Sequence, residues 1–293
     1  MMRFWGRLLA AAFGMAALVG AAQFGVVYGL DVLRLDREFV AGTDNDWNLQ
    51  LTWVVWFTIV AVAGGATFAA GLAQRDRRRI GAAVRIGTAV AAALGAAAAA
   101  FPLTLQPAQY ARLSAAFDPG LTAAIAVSAG VVAGLFTALL AVGRTPLSAN
   151  LWTCTGAVWL LAILSYLDST EFSRNRDAMG EYYDPTRLGV LDVSNLEPVP
   201  RASFSLPVIA LLVGLTCGLV ARHAGRSRLL IALSGAIGPL TVAMAYVIGG
   251  PGISRALTDQ ADAYLGAMIA VVVGLIASSI IALAPAAPAS SDG

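Results

Sequence analysis

The chain has no lysine, one histidine and two cysteines, and only 12% of its residues are charged. Each shortage removes a class of function. The single histidine, His223, stands among arginines, which excludes a His-pair metal site and any Ser-His or Cys-His catalysis away from that stretch. Cys154 and Cys217 are too few for a disulfide framework, and with no histidine beside them they make a poor metal site. They read as small buried hydrophobes. The net charge is only +2, and no stretch interleaves basic with aromatic residues, which excludes a nucleic-acid surface. No cofactor motif is present.

What is abundant is apolar. Of the 293 residues, 58% are hydrophobic, and the mean hydropathy is +0.76. A bilayer core about 30 Å thick needs about 20 apolar residues in a helix rising 1.5 Å each. Runs near that length fall at 8–30, 51–73, 82–103, 121–142, 151–167, 205–221, 229–249 and 263–284. The expected fold is therefore an all-α polytopic membrane protein of about eight transmembrane helices. The N-terminal run is too long for a signal-peptide core of about 7–15 residues and reads as an uncleaved first span. The third run, "AVAAALGAAAAAF", is nearly all Ala and Gly. It gains little from insertion by itself and is expected inside the bundle.

Charge sets the expected orientation. The even-numbered loops and the two termini hold eleven Arg against two acids, and the opposite side holds eight Arg against fifteen acids. Arg excess marks the cytoplasmic face, so both termini are expected inside a bacterial cytoplasmic membrane. An all-Arg basic set with abundant Ala and Gly suits a GC-rich bacterial genome. A tail at 285–293 is expected to be disordered and cytoplasmic.

Matched strings suggest two four-span halves in parallel duplication, 1–150 and 151–284. "GLAQR" at 71–75 pairs with "GLVAR" at 218–222, and "VVAGLF" at 131–136 with "VVVGLI" at 271–276. A pseudo-two-fold axis would then run along the membrane normal. Chance matches among Ala, Gly, Leu and Val are the competing explanation.

No Asp, Glu, Lys or His lies at mid-depth in any run, which argues against an ion-coupled transporter with a charged central site. The intramembrane polar residues singled out are Gln23, Cys154, Thr155, Thr216 and Cys217. The cysteine pair is expected at matched depth, in one layer. Gly25 and Gly29, Gly130 and Gly134, and Gly214 and Gly218 have the spacing that lets helix backbones approach closely. Trp5, Trp47, Trp53 and Trp152 read as interfacial belt residues. The stretch 104–120 reads as a short interfacial helix that starts at Pro107, with Tyr110, Leu113 and Phe117 on one face.

Two loops on the acidic side are long, 31–50 and 168–204. The first carries Asp36, Glu38, Asp44 and Asp46. Paired acids in a first outer loop resemble those of membrane glycosyltransferases that use polyprenyl-phosphate sugars, which would make these four the catalytic candidates. Acids are general on that face, however, and two carboxylates are too few for a hard cation. The second loop offers Arg174, Arg176, Tyr182, Tyr183, Asp184 and Arg187 as a surface for another membrane protein. "LQLTWVVWF" followed by "GGATFAAGLAQRDRRR" resembles uncharacterised multi-pass membrane proteins of high-GC actinobacteria. That resemblance implies a many-span fold and brings no catalytic residue or partner.

The leading expectation is a non-catalytic scaffold or accessory subunit of a cell-envelope assembly, in contact with the lipid bilayer and with other membrane proteins through 168–204. The alternatives are a transporter or path for an apolar or lipidic substrate, and a membrane enzyme that uses the outer carboxylates on a polyprenyl-linked substrate.

Overall fold

A computed structural model describes residues 2–30, 32–39, 44–75, 80–113, 117–174, 186–191, 201–250 and 258–285. The side chains of 2, 44–46, 169–174, 201–203 and 258–260 are outside that description. Eight long helices dominate: α1 (Met2–Gly29), α2 (Asp44–Arg75), α3 (Ala82–Ala108), α4 (Pro119–Ala141), α5 (Thr145–Arg174), α6 (Arg201–His223), α7 (Arg228–Gly249) and α8 (Thr258–Leu283). All eight contain a stretch long and apolar enough to cross a membrane. Two short strands, β1 (Glu38–Phe39) and β2 (Arg112–Leu113), pair in parallel.

Registers fix the helix directions. Gly65 lies against Ala12 and Ala16, and Gln23 bonds to Phe57, so α1 and α2 are antiparallel. Gly95 meets Phe13 while Gly87 meets Trp5 and Leu9, so α1 and α3 are parallel. On the same grounds α4 runs with α2, α8 runs with α6, and α7 runs against both α2 and α8. The helices therefore alternate, with an arginine-rich end at the starts of α1, α3, α5 and α7 and an acid-rich end opposite.

The same pairs pack in both halves. Among α1–α4 the main contacts are first with third, second with fourth, and each helix with its successor; α5–α8 repeat this set. The halves meet through α2 and α4 on one side and α7 and α5 on the other. Lipid is as apolar as leucine, so burial of apolar surface does not drive this assembly; close packing and internal hydrogen bonds do. Small residues supply the closeness, and Gly130 and Gly134 of α4 and Gly214 and Gly218 of α6 all press on neighbouring helices, as their spacing suggests. Gly25 and Gly29 do not, because a Cβ at either would meet open space.

The centre is α2, not α3. In its spanning window α2 is 83% buried, against 39% for α3. The alanine-rich third span is two-faced. Ala89, Ala92, Ala96 and Ala100 face inward, while Ile86, Val90 and Leu94 face out. Small side chains let α3 sit close to α1 without making it central.

Helix ends are capped in recognisable ways. Asp118 accepts the Leu121 N–H at the start of α4, just before Pro119, and Ser227 accepts the Leu230 N–H at the start of α7. Arg144 donates to the Leu139 and Leu140 carbonyls at the end of α4. Arg222 of α6 donates to the Ile281 and Pro285 carbonyls at the end of α8. Cationic groups at helix C-termini neutralise the carbonyl ends of the dipoles. His223 closes α6 and is not in a loop; its Nδ1 lies 2.8 Å from the Leu219 carbonyl oxygen.

The expected interfacial helix at 104–120 is absent among the described residues there. Instead α3 runs on through Pro102 and Pro107 to Ala108, and Arg112–Leu113 forms β2. The tail at 286–293 lies outside the described residues.

Candidate functional site

The acid-rich end is where non-helical chain enters the packed interior. Leu33, Leu35, Phe39, Trp47 and Ala111 are buried in one cluster with the bundle, so the first loop forms a cap. The Arg34 backbone N–H donates to Gln50 Oε1 at 2.7 Å, and the Arg112 N–H donates to the Arg37 carbonyl. The Arg37 guanidinium lies 4.3 Å from the Phe39 ring centroid, a cation–π contact. Trp47 and Trp53 are not belt residues. Both are buried, and their indole N–H groups donate inward, Trp47 to the Thr122 hydroxyl and Trp53 to the Thr186 carbonyl.

The second non-helical piece is a strap, 186–191, wedged among α2, α5, α6 and α7. Leu188 and Val190 are each 1% exposed. Backbone without a helix or sheet must find other partners when water is excluded. Here side chains from four helices provide them. The Thr186 carbonyl accepts from Trp53 Nε1 (2.8 Å), the Leu188 carbonyl from the Tyr246 hydroxyl (2.8 Å) and the Val190 carbonyl from the Ser165 hydroxyl (3.2 Å). The Leu191 N–H donates to the Ser205 hydroxyl at 3.1 Å. Gly189 turns the strap at φ +73°, where its α-carbon faces Leu206 and Val242.

Below the strap lies an aromatic cluster. Trp53, Trp56 and Phe57 of α2 surround Trp159 of α5, and Phe57 stacks on Trp159 at 5.6 Å and 13°. Deeper still, Pro239 lies inside α7, which continues through it. A proline lacks an N–H and its ring pushes away the preceding turn, which frees nearby backbone groups. Asn150 of α5 accepts the Gly238 N–H at 3.1 Å. The Thr241 hydroxyl donates to the Gly238 carbonyl and accepts from Trp56 Nε1. This chain of bonds ties α5, α7 and α2 across the junction between the halves.

The residues singled out in the sequence are dispersed. Asp36 and Glu38 are exposed on the cap. Asp44 and Asp46 fall in the first turn of α2, and their side chains lie outside the described residues. Arg174 ends α5 without a described side chain, while Arg176, Tyr182, Tyr183 and Asp184 lie outside the described residues. Arg187 is half-buried in the strap. Cys154 and Cys217 do share a layer between α5 and α6. Cys217 Sγ is 3.9 Å from the Thr153 hydroxyl, and buried Cys154 packs on Gly238; both thiols are free. Thr155 is buried beside Cys154, and Thr216 faces outward with its hydroxyl on the Leu212 carbonyl. Gln23 belongs elsewhere: it donates to the Val19 and Phe57 carbonyls, in the first half.

Gln50 and Asn150 were not singled out, and the strap was singled out only through Arg187. No residue pattern marked Asn150, because the Gly238 N–H it accepts is not a group that Pro239 frees. Among the described residues, no cluster of three His, Cys, Asp or Glu side chains is placed to hold a metal ion. Comparison of the chain with protein-family models, with curated proteins and with solved structures finds no match.

Proposed function

We propose that the chain is a non-catalytic scaffold or accessory subunit of an envelope assembly in a bacterial plasma membrane, with both termini cytoplasmic. The observation that carries this reading is the use made of the polar groups at the acid-rich end. Indole, phenol and hydroxyl donors from α2, α7 and α5, with the Ser205 hydroxyl of α6 as an acceptor, hold the strap in place. Deeper hydroxyls at Thr58, Thr88 and Thr137 bond back to their own helices. This chemistry builds a rigid platform rather than a reacting centre. The platform presents Asp36, Glu38 and the two ends of loop 168–204 on the side that the arginine asymmetry makes extracytoplasmic.

The repeated helix pairing supports descent of the two halves from one four-span unit. Gly134 and Gly274 occupy equivalent places in the matched strings, and each touches the second helix of its own half, although Gly274 lies closer still to Gly235 of the third. The halves meet by unlike helices, so the junction between them is heterologous.

Mild-detergent capture of the tagged chain from its native membrane, with mass spectrometry of bound proteins and lipids, tests the reading. A stoichiometric protein partner is expected. It should survive joint replacement of Asp36, Glu38, Asp44 and Asp46 by Asn or Gln, and that variant should fold normally. Recovery of a polyprenyl carrier with no protein partner, lost in the same variant, would replace the scaffold by the enzyme reading. Orientation is tested separately in spheroplasts. Glu38→Cys should react with a membrane-impermeant maleimide in intact cells and Arg226→Cys only after permeabilisation; the reverse pattern rules out cytoplasmic termini.

A further inference from the structure

We propose that the groove between the start of α1 and the end of α2 binds one anionic phospholipid, its phosphate on Arg7 and an acyl chain along Leu8, Ala11 and Leu72. The inference stands apart from the scaffold reading. It begins with a cavity of about 150 Å³ lined by Phe4, Arg7, Leu8, Ala11, Leu72 and Ala73. Five of those six side chains are apolar, so the walls suit hydrocarbon. The sixth is a guanidinium, exposed and without an acid partner among the described residues. Arg3, one turn before Arg7, and Arg75, just past Ala73, are exposed and add charge of the same sign.

Depth gives the site its direction. Arg7 lies in the second turn of α1, at headgroup level, and Ala11 lies one turn, about 6 Å, further into the membrane. The order from the end inward is therefore charge, then apolar wall, the order of a phospholipid entering from that leaflet. Basic pockets between helices near a membrane face are known to hold anionic headgroups. Ala11 and Ala73 leave the space, and buried Leu8, packed with Ala69, Ala70 and Ala73, forms the floor. A free phosphate could use Arg7 but would gain nothing from Leu8, Ala11 or Leu72.

The test is native mass spectrometry of the full chain in non-ionic detergent, titrated with dioleoyl phosphatidylglycerol, with dioleoyl phosphatidylcholine and with inorganic phosphate. One phosphatidylglycerol should be retained about tenfold more tightly than phosphatidylcholine, whose phosphate is the same but whose choline cation is repelled by Arg3, Arg7 and Arg75. Arg7→Gln should remove that preference, and Arg226→Gln, at the same end but away from the groove, should keep it. Ala11→Phe, which fills the groove and leaves every charge in place, should weaken both lipids. Equal retention of the two lipids by the unmodified chain would overturn the proposal. So would loss of the preference in Arg226→Gln, which would mean general surface charge, or displacement of the lipid by inorganic phosphate, which would mean a free-anion site.

Discussion

Replacing Gly274 or Gly235 by valine is expected to abolish the folded protein. The two glycines mark the crossing of α7 and α8, where backbone touches backbone. A Cβ on Gly235 would land on the Gly274 carbonyl, and a Cβ on Gly274 would land on the Gly235 carbonyl. Neither obstacle can turn aside as a side chain would. Pro239 adds a reason for the contact. The Gly235 carbonyl would normally accept from the N–H at 239, which proline lacks. It lies instead against the Gly274 α-carbon, where a weak C–H···O interaction is available. Ser278 seals the seam by accepting the Gly235 N–H and donating to the Ala232 carbonyl. Separating the helices loses all of this, so even Gly274→Ala should cost about 3 kcal/mol, the upper range for overpacking. Thermal unfolding in detergent, followed by size-exclusion of a fluorescent fusion, measures the effect. Gly25→Ala and Gly29→Ala provide the contrast. They face open space and should stay within about 0.5 kcal/mol of the parent. An unchanged midpoint for Gly274→Ala would mean that α7 and α8 do not cross at these residues.

That contrast shows what could be read from the sequence and what could not. Apolar runs give the number of helices because the bilayer demands length, and all eight are present. Helix ends were harder wherever polar residues continue a helix. The first turns of α2 read Asp-Asn-Asp-Trp-Asn, and those of α5 read Thr-Pro-Leu-Ser-Ala-Asn, so both helices start earlier than their apolar runs. Asn150 was hidden for that reason. Glycine spacing shows that a helix has a small face, but not which neighbour the face meets. Two of the three spaced pairs are used inside the chain, and the pair on α1 is not. Amphiphilic tryptophan suggested interfacial anchors. Trp47 lies near a helix end as expected and Trp53 more than two turns in, but their N–H groups are spent on Thr122 and Thr186, residues distant in the sequence. The strap was the least legible, because "TRLGVL" is buried by four helices that lie elsewhere along the chain.

The strap yields the second large effect. Trp53→Phe combined with Tyr246→Phe should destabilise the protein by more than about 2–4 kcal/mol, since each alone leaves a buried carbonyl without its donor at about 1–2 kcal/mol. Phenylalanine keeps the packing at 246, so the Tyr246→Phe single reports on its bond, while at 53 it also removes one ring from the aromatic cluster. The pair should exceed the sum of its singles. With Thr186 and Leu188 both released, the strap would lean on the Ser165 and Ser205 bonds at its far end. Gly189→Ala attacks the same element through the backbone. At φ +73° an alanine costs about 1–2 kcal/mol, and this backbone strain carries the effect, since its methyl would meet Leu206 at ordinary contact distance. Thr58→Val is the control. Its hydroxyl bonds to the Val54 carbonyl within its own helix, so its removal should be nearly neutral. Hydrogen exchange separates local from global loss. In the double variant the amides of 186–191 should exchange faster while those of central α2 stay protected. Parental protection across the strap in that variant would show that side-chain packing at Leu188 and Val190, and not the ladder of indole and phenol donors, keeps this chain inside the bundle.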